Sequence, residues 1–113
     1  MPKVSTGYGG RTMPSDLKLS VVDQSPVRAG GTAGTALRET IDLAVAVEDL
    51  GYLRYWVAEH HSIANFAGTS PEILTGQIAS HTNSIRVGTG GVMLSHYSSV
   101  SYTHLTLPTI LLV

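Results

Sequence analysis

The stretch Arg54-Tyr55-Trp56-Val57-Ala58-Glu59-His60-His61-Ser62 constrains this chain more than any other. Its aromatic and β-branched side chains (Tyr55, Trp56, Val57) suit a pleated, buried surface, so a short strand is expected there. The run stops at an acid and two adjacent histidines, and a loop carrying Asn65, Phe66, Ala67 and Gly68 follows. In a parallel α/β arrangement the residues just past a strand's carboxyl end face the crevice in which ligands bind. Glu59, His60 and His61 are therefore the first candidates for chemistry.

The flanking segments supply the rest of such an arrangement. Leu17, Leu19 and Val21 alternate and Val22 follows, which predicts a first strand over Leu17–Asp23. Gln24-Ser25-Pro26 closes it, because the residue before a proline avoids the helical region. A glycine-containing loop leads to a helix expected from a Thr35 cap to about Leu50. Leu37, Ile41, Ala44, Val47 and Leu50 recur at helical spacing as its apolar face, and Gly51 supplies a left-handed stop. The second strand then spans Tyr52–Ala58. Ser70-Pro71-Glu72 combines a cap, a first-turn proline and an acid at the positive end of the helix dipole. Ile73, Leu74, Ile78 and His81 form the inner face of this second helix before Asn83 breaks it. A third strand is expected over Ile85–Leu94, with Gly88, Gly90 and Gly91 inside it. The order β-α-β-α-β, with connections long enough for helices, requires parallel strands and right-handed crossovers. Residues 1–12 contain Pro2, Gly7, Gly9 and Gly10 without apolar periodicity and read as a flexible leader, with the domain starting at Met13.

Composition removes several classes of function. A formal net charge of −1 makes no electrostatic case for nucleic acid or an anionic membrane. Basic residues are too few to interleave with Tyr52, Tyr55 and Trp56, so these aromatics read as packing groups and not as a stacking platform. The absence of cysteine excludes disulfides, thiolate metal sites and cysteine nucleophiles, and it suits a cytoplasmic location. No apolar run approaches the roughly 18–20 residues of a membrane span, and the N-terminus has no hydrophobic signal core. No metal is expected either. Adjacent histidines on extended backbone point to opposite sides, and the helical His-Glu-x-x-His pattern is absent.

Two readings of the polar cluster stay open on the residues alone. One makes it a reactive site; the other makes Glu59 the hydrogen-bond partner of one histidine in a purely structural loop. Asp23 and Ser25 sit on the same expected rim and read as an Asx-type turn before Pro26. The strand-three glycines are harder to place. Each costs about 0.5–1 kcal/mol relative to alanine, so two in succession imply a bulge, an unusual peptide or a closely approaching ligand. They are not a dinucleotide fingerprint, because no helix starts after them.

Four segments occur in order: Leu19-Ser-Val-Val-Asp-Gln-Ser-Pro26, Gly51-Tyr-Leu-Arg-Tyr-Trp-Val-Ala-Glu-His-His61, Ser70-Pro-Glu72 and Ile85-Arg-Val-Gly-Thr-Gly-Gly-Val-Met-Leu94. Together they resemble the N-terminal part of the bacterial luciferase-like flavin-dependent monooxygenase family, in its single-chain oxidoreductase branch, from about Leu17 to Ser99. The resemblance implies a TIM (β/α)8 barrel that uses reduced FMN and molecular oxygen on a small-molecule substrate. A separate flavin reductase would supply the reduced FMN, and a homo-oligomeric parent is compatible with it. The alternatives on the same scaffold are an F420-dependent hydride-transfer oxidoreductase and a non-catalytic flavin-binding barrel. Carried over residue by residue, His60 is the catalytic acid–base group beside the flavin and Glu59 orients the cluster. Gly90, Gly91, Val92 and Met93, with His60, bind the cofactor, and the Gly90–Gly91 bond is a non-prolyl cis peptide against the flavin ring. Such a bond costs about 3–4 kcal/mol and persists mainly at functional sites.

The chain also departs from the family. Ser95 stands where the family usually has proline. A TIM barrel needs about 250 residues, so a β-α-β-α-β unit is an incomplete portion of one, with unpaired sheet edges, and is expected to be inactive alone. After Ser99 the resemblance stops. Residues Val100 to Thr109 are the translation, without mismatch, of GTC TCT TAT ACA CAT CTG ACG CTG CCG ACG, which resembles a transposon-end sequencing adapter. The expected organisation is a leader over 1–12, the barrel portion over 13–99 and a non-native tail over 100–113.

Overall fold

The structure is a computed structural model that describes residues 16–101, 103 and 104. The expected leader and positions 102 and 105–113 of the expected tail lie outside the described residues. The elements are β1 (Ser20–Asp23), α1 (Ala33–Asp49), β2 (Arg54–Val57), α2 (Pro71–His81) and β3 (Arg86–Thr89), followed by a 3-10 turn over Leu94–His96. The strands form one sheet in the order β1-β2-β3, both pairings parallel. Val22 lies beside Trp56 and Trp56 beside Gly88; Asp23, Val57 and Thr89 end the strands at one level. This common edge makes a shared rim out of loops that are distant in sequence. The architecture is the expected β-α-β-α-β portion of a (β/α)8 barrel.

Period-two alternation decides what each side of the sheet carries. Tyr55 and Val57 face the helices and join Ala44, Val47, Leu74, Ile78 and Ile85 in the buried core, with Val21, Leu37, Ile41, Tyr52 and Val87 packed around them. Trp56 points to the opposite face. There it lies over Gly88, where an added Cβ would stand 2.9 Å from Trp56 Cζ3. One of the three glycines is thus explained by a neighbouring indole and not by a ligand.

The elements are shorter than the periodicity predicts, for local reasons. β1 pairs only from Ser20, and Leu17 and Leu19 remain outside it, exposed. α1 is capped by Thr32, not Thr35: Thr32 is extended (φ −119°, ψ 158°), and its Oγ1 accepts the Thr35 N–H at 3.2 Å. Thr35 is therefore the donor inside the first turn, the partner that a cap residue needs. Leu50 falls off the apolar face and is exposed, because the helix ends at Asp49 and the chain reverses at Gly51 with φ +87°. In α2 the stripe Pro71, Leu74, Ile78 is buried, whereas Ile73 and His81 are exposed. Ser70 holds the cap position without a side-chain capping bond, so Pro71 and Glu72 carry the start signal. β3 ends at Thr89; the Gly90 N–H still donates to Val57 O at 2.7 Å, and beyond it the chain leaves the sheet.

One strut has no sequence signature. Glu48, in the last turn of α1, accepts the backbone N–H groups of Asn83 (2.9 Å), Ser84 (2.7 Å) and Ile85 (2.8 Å) on Oε2. These bonds, chiefly from Ile85 and Ser84, hold its carboxyl below the usual carboxylate range. Past the rim, residues 99–101, 103 and 104 are helical, and Ser98 Oγ accepts the Ser101 N–H at 3.2 Å. No helix among the described residues is long and apolar enough to cross a membrane.

Candidate active site

The β1 end of the rim is structural. The Asp23 carboxylate, buried, accepts the Ser25 N–H at 2.7 Å and the Tyr55 hydroxyl at 2.5 Å. Ser25 adopts φ +51°, and its Oγ lies 2.8 Å from Thr40 Oγ1. The Asx-turn reading of this segment therefore describes it correctly. Burial, reinforced by the Asp23 carboxylate, pushes the Tyr55 hydroxyl well above the ordinary tyrosine range, so it stays a neutral donor.

At the β2 end the three polar residues separate. The Glu59 side chain is only 1% exposed; Oε1 lies 2.6 Å from His61 Nε2, and Oε2 accepts the Met93 N–H at 2.9 Å. Burial alone would raise its pKa. The Met93 N–H and the His61 ring outweigh that effect and hold the carboxyl below its ordinary value. His61 is thus the histidine with the Glu59 partner, and its ring lies 5.0 Å from that of His96, tilted by 57°. The Tyr97 hydroxyl donates to Glu72 Oε2 at 2.9 Å; burial and the Glu72 and Glu59 carboxylates push it above the usual range. A chain of polar contacts therefore ties the start of α2 to the rim.

His60 turns the other way. Its N–H donates to Gly68 O at 2.9 Å, and its ring stacks on Phe66 at 4.6 Å between centroids and 26° between planes. Nε2 of His60 is buried and has no hydrogen-bond partner. Phe66, the only phenylalanine of the chain, was legible merely as a loop residue. A lone aromatic among Asn, Ala and Gly was the one available signal. Among the described residues, no group of histidines, aspartates and glutamates is arranged to hold a metal ion.

A hollow of about 330 Å³ opens at the carboxyl ends of the strands, lined by Val22, Ala58, Glu59, Gly90, Gly91, Val92 and Met93. It brings together Glu59 and all four residues expected to form a cofactor floor. His60 is not among its lining residues. The expected cis bond is corrected: no cis peptide occurs among the described residues, so Gly90–Gly91 is trans. A Cβ built on Gly91 would meet nothing within 4 Å. Gly91 therefore borders the open hollow, and no neighbour presses on it from the side where a Cβ would stand.

A hollow at the carboxyl edge of a parallel sheet is where α/β folds bind their ligands. The sequence profile of the luciferase-like monooxygenases matches residues 17–102, and the chain belongs to that family. Among curated relatives, the uncharacterised protein YwcH of Bacillus subtilis strain 168 is 58% identical over 83 residues, covering 74% of this chain and 25% of the relative. N-acetyl-S-alkylcysteine monooxygenase of the same strain is 49% identical over 83 residues, with the same shares. The crystal structure of apo-MsnO8 superposes with a TM-score of 0.74 at 47% identity, over 82% of this chain and 29% of that one. The oxygenating component of 3,6-diketocamphane monooxygenase from Pseudomonas putida, a type II Baeyer–Villiger monooxygenase solved with FMN, is alike in fold (TM-score 0.68, 21% identity, 76% and 24% covered). The chain spans about a quarter of the length of the curated relatives it matches.

Proposed function

We propose that the full-length protein is an FMN-dependent, luciferase-like monooxygenase acting in the cytoplasm on a small organic substrate, with reduced FMN delivered by a separate flavin reductase. The observation that carries this reading is the hollow floored by Gly90 and Gly91 at the common strand edge. Two consecutive residues without side chains leave a flat surface for a planar ring, and Val22, Ala58 and Val92 supply apolar walls. Glu59 adds rigidity and not a free carboxylate, because both of its oxygens are committed, to His61 and to Met93 N–H. The residues present thus fit a flavin ring. Bound reduced FMN would supply the two electrons with which oxygen is split between substrate and water.

The protein's own contribution is orientation, water exclusion and a placed proton. His60 follows Glu59 directly and keeps Nε2 buried without a partner. No protein group competes for that nitrogen, which leaves it uncommitted for a ligand group. His61 lacks that freedom, since its Nε2 is held by Glu59.

The test uses the full-length protein with reduced FMN generated by a reductase. His60→Ala should keep FMN affinity and lose substrate-coupled oxygen consumption by about 10²-fold or more, the scale of a missing acid–base group. His61→Ala should cost less. Equal turnover in His60→Ala and wild type would reduce His60 to a structural residue. A purified protein that selects a deazaflavin over FMN, or that consumes oxygen no faster than free reduced flavin does, would overturn the assignment itself.

A further inference from the structure

We infer that Phe66 is a positioning residue for His60, a platform that sets the imidazole plane where no hydrogen bond does; this rests on the reading of His60 above. A functional histidine is ordinarily oriented by a bond to one ring nitrogen. Here Nε2 has no partner and the ring instead lies nearly parallel to the Phe66 ring, 4.6 Å away.

The platform is mounted independently of the ring it carries. Phe66 forms an antiparallel bridge with Pro26, flanked by Val27 N–H to Asn65 O (2.8 Å) and Ala67 N–H to Ser25 O (2.9 Å). Ser25 is in turn pinned by Asp23 and Thr40. Gly68 completes the mount: a Cβ there would stand 3.0 Å from Ala58 O, so the loop runs close against the end of β2. The loops after β1 and β2 are therefore stitched together behind Phe66, and Phe66 transmits that fixed geometry to His60.

The experiment compares wild type, Phe66→Leu, Phe66→Tyr and His60→Ala in the full-length protein, reading turnover, FMN affinity and the ring-proton resonances of histidine. The resonance lost in His60→Ala identifies His60. In wild type it should be displaced upfield by the Phe66 ring current. Phe66→Leu should abolish the displacement and lower kcat about three- to tenfold, the scale of one aromatic pair, with FMN affinity and KM little changed. Phe66→Tyr should restore both signals. A His60 resonance without the displacement in wild type overturns the inference, even if Phe66→Leu fails to fold. So does a Phe66→Leu protein with normal kcat, or a Phe66→Tyr protein as impaired as Phe66→Leu. Should His60→Ala turn over normally, the role given to His60 falls while the ring shift still decides whether Phe66 orients it.

Discussion

Glu59 at the rim and Gly88 within β3 show what single residues decide. Glu59 is a buried acid whose folded-state pKa is depressed, so its contribution is fully present above its ordinary value of 4.5 and is lost as pH falls through the lower folded value. Glu48 follows the same sign, and Tyr55 the opposite one: its raised pKa adds stability below the ordinary value of 10.0 that fades as pH rises past it. In the full-length protein, Glu59→Gln should lower the urea midpoint near neutral pH. The gap to wild type should narrow as pH falls below the ordinary value of 4.5 and through the lower folded one, as the wild-type carboxylate takes up its proton. A gap independent of pH would show that the carboxylate charge is not what holds Met93. Gly88→Ala tests packing, because its Cβ would meet the Trp56 indole at 2.9 Å. Overpacking of this kind costs about 1–3 kcal/mol, readable by denaturant unfolding, and combining it with Trp56→Phe should recover part of the loss.

At the scale of elements, the turn between α2 and β3 is held by a residue of α1. Glu48 lies in the last turn of α1, where an acid opposes the helix dipole. It nevertheless accepts three consecutive N–H groups at Asn83, Ser84 and Ile85, which enter β3. That bond set fastens the end of α1 to the start of β3. Glu48→Ala should therefore speed amide exchange severalfold at Ser84 and Ile85 while leaving the middle of α1 unchanged; unaltered exchange at those two amides would remove the strut from the account. Capping illustrates the limits of pattern at this scale. Thr32 and Thr35 are chemically equivalent candidates, and which one accepts and which one donates depends on where the preceding loop releases the chain.

At the scale of the whole molecule, the described sheet gives β2 a neighbour on each side and β1 and β3 one each. Val22, on the sheet face opposite the helices, is 67% exposed, and Ile73 on α2 is 64% exposed. Apolar surface left in this state favours association over a unique fold. The purified 113-residue chain should accordingly aggregate or unfold without a cooperative transition. A sharp two-state melt at low protein concentration would show that the two faces need no further cover.

The sequence alone determined the order of elements, the parallel sheet and the family. Strand alternation, helical spacing, Pro71 with Glu72 and Gly51 each act within a few residues, where local sterics and hydrogen bonding decide the outcome. Strand alternation pointed to Glu59 at the carboxyl end of β2, and the family resemblance, not strand geometry, singled out Gly90, Gly91, Val92 and Met93; the structure gathers these five around one hollow because β3 stops at Thr89. Only the tertiary structure decided which histidine meets Glu59, that His60 lies on Phe66, that Glu48 fastens the third strand and that the Gly90–Gly91 bond is trans. Each of these depends on how closely segments dozens of residues apart approach one another, and a distance of that kind has no periodicity to read.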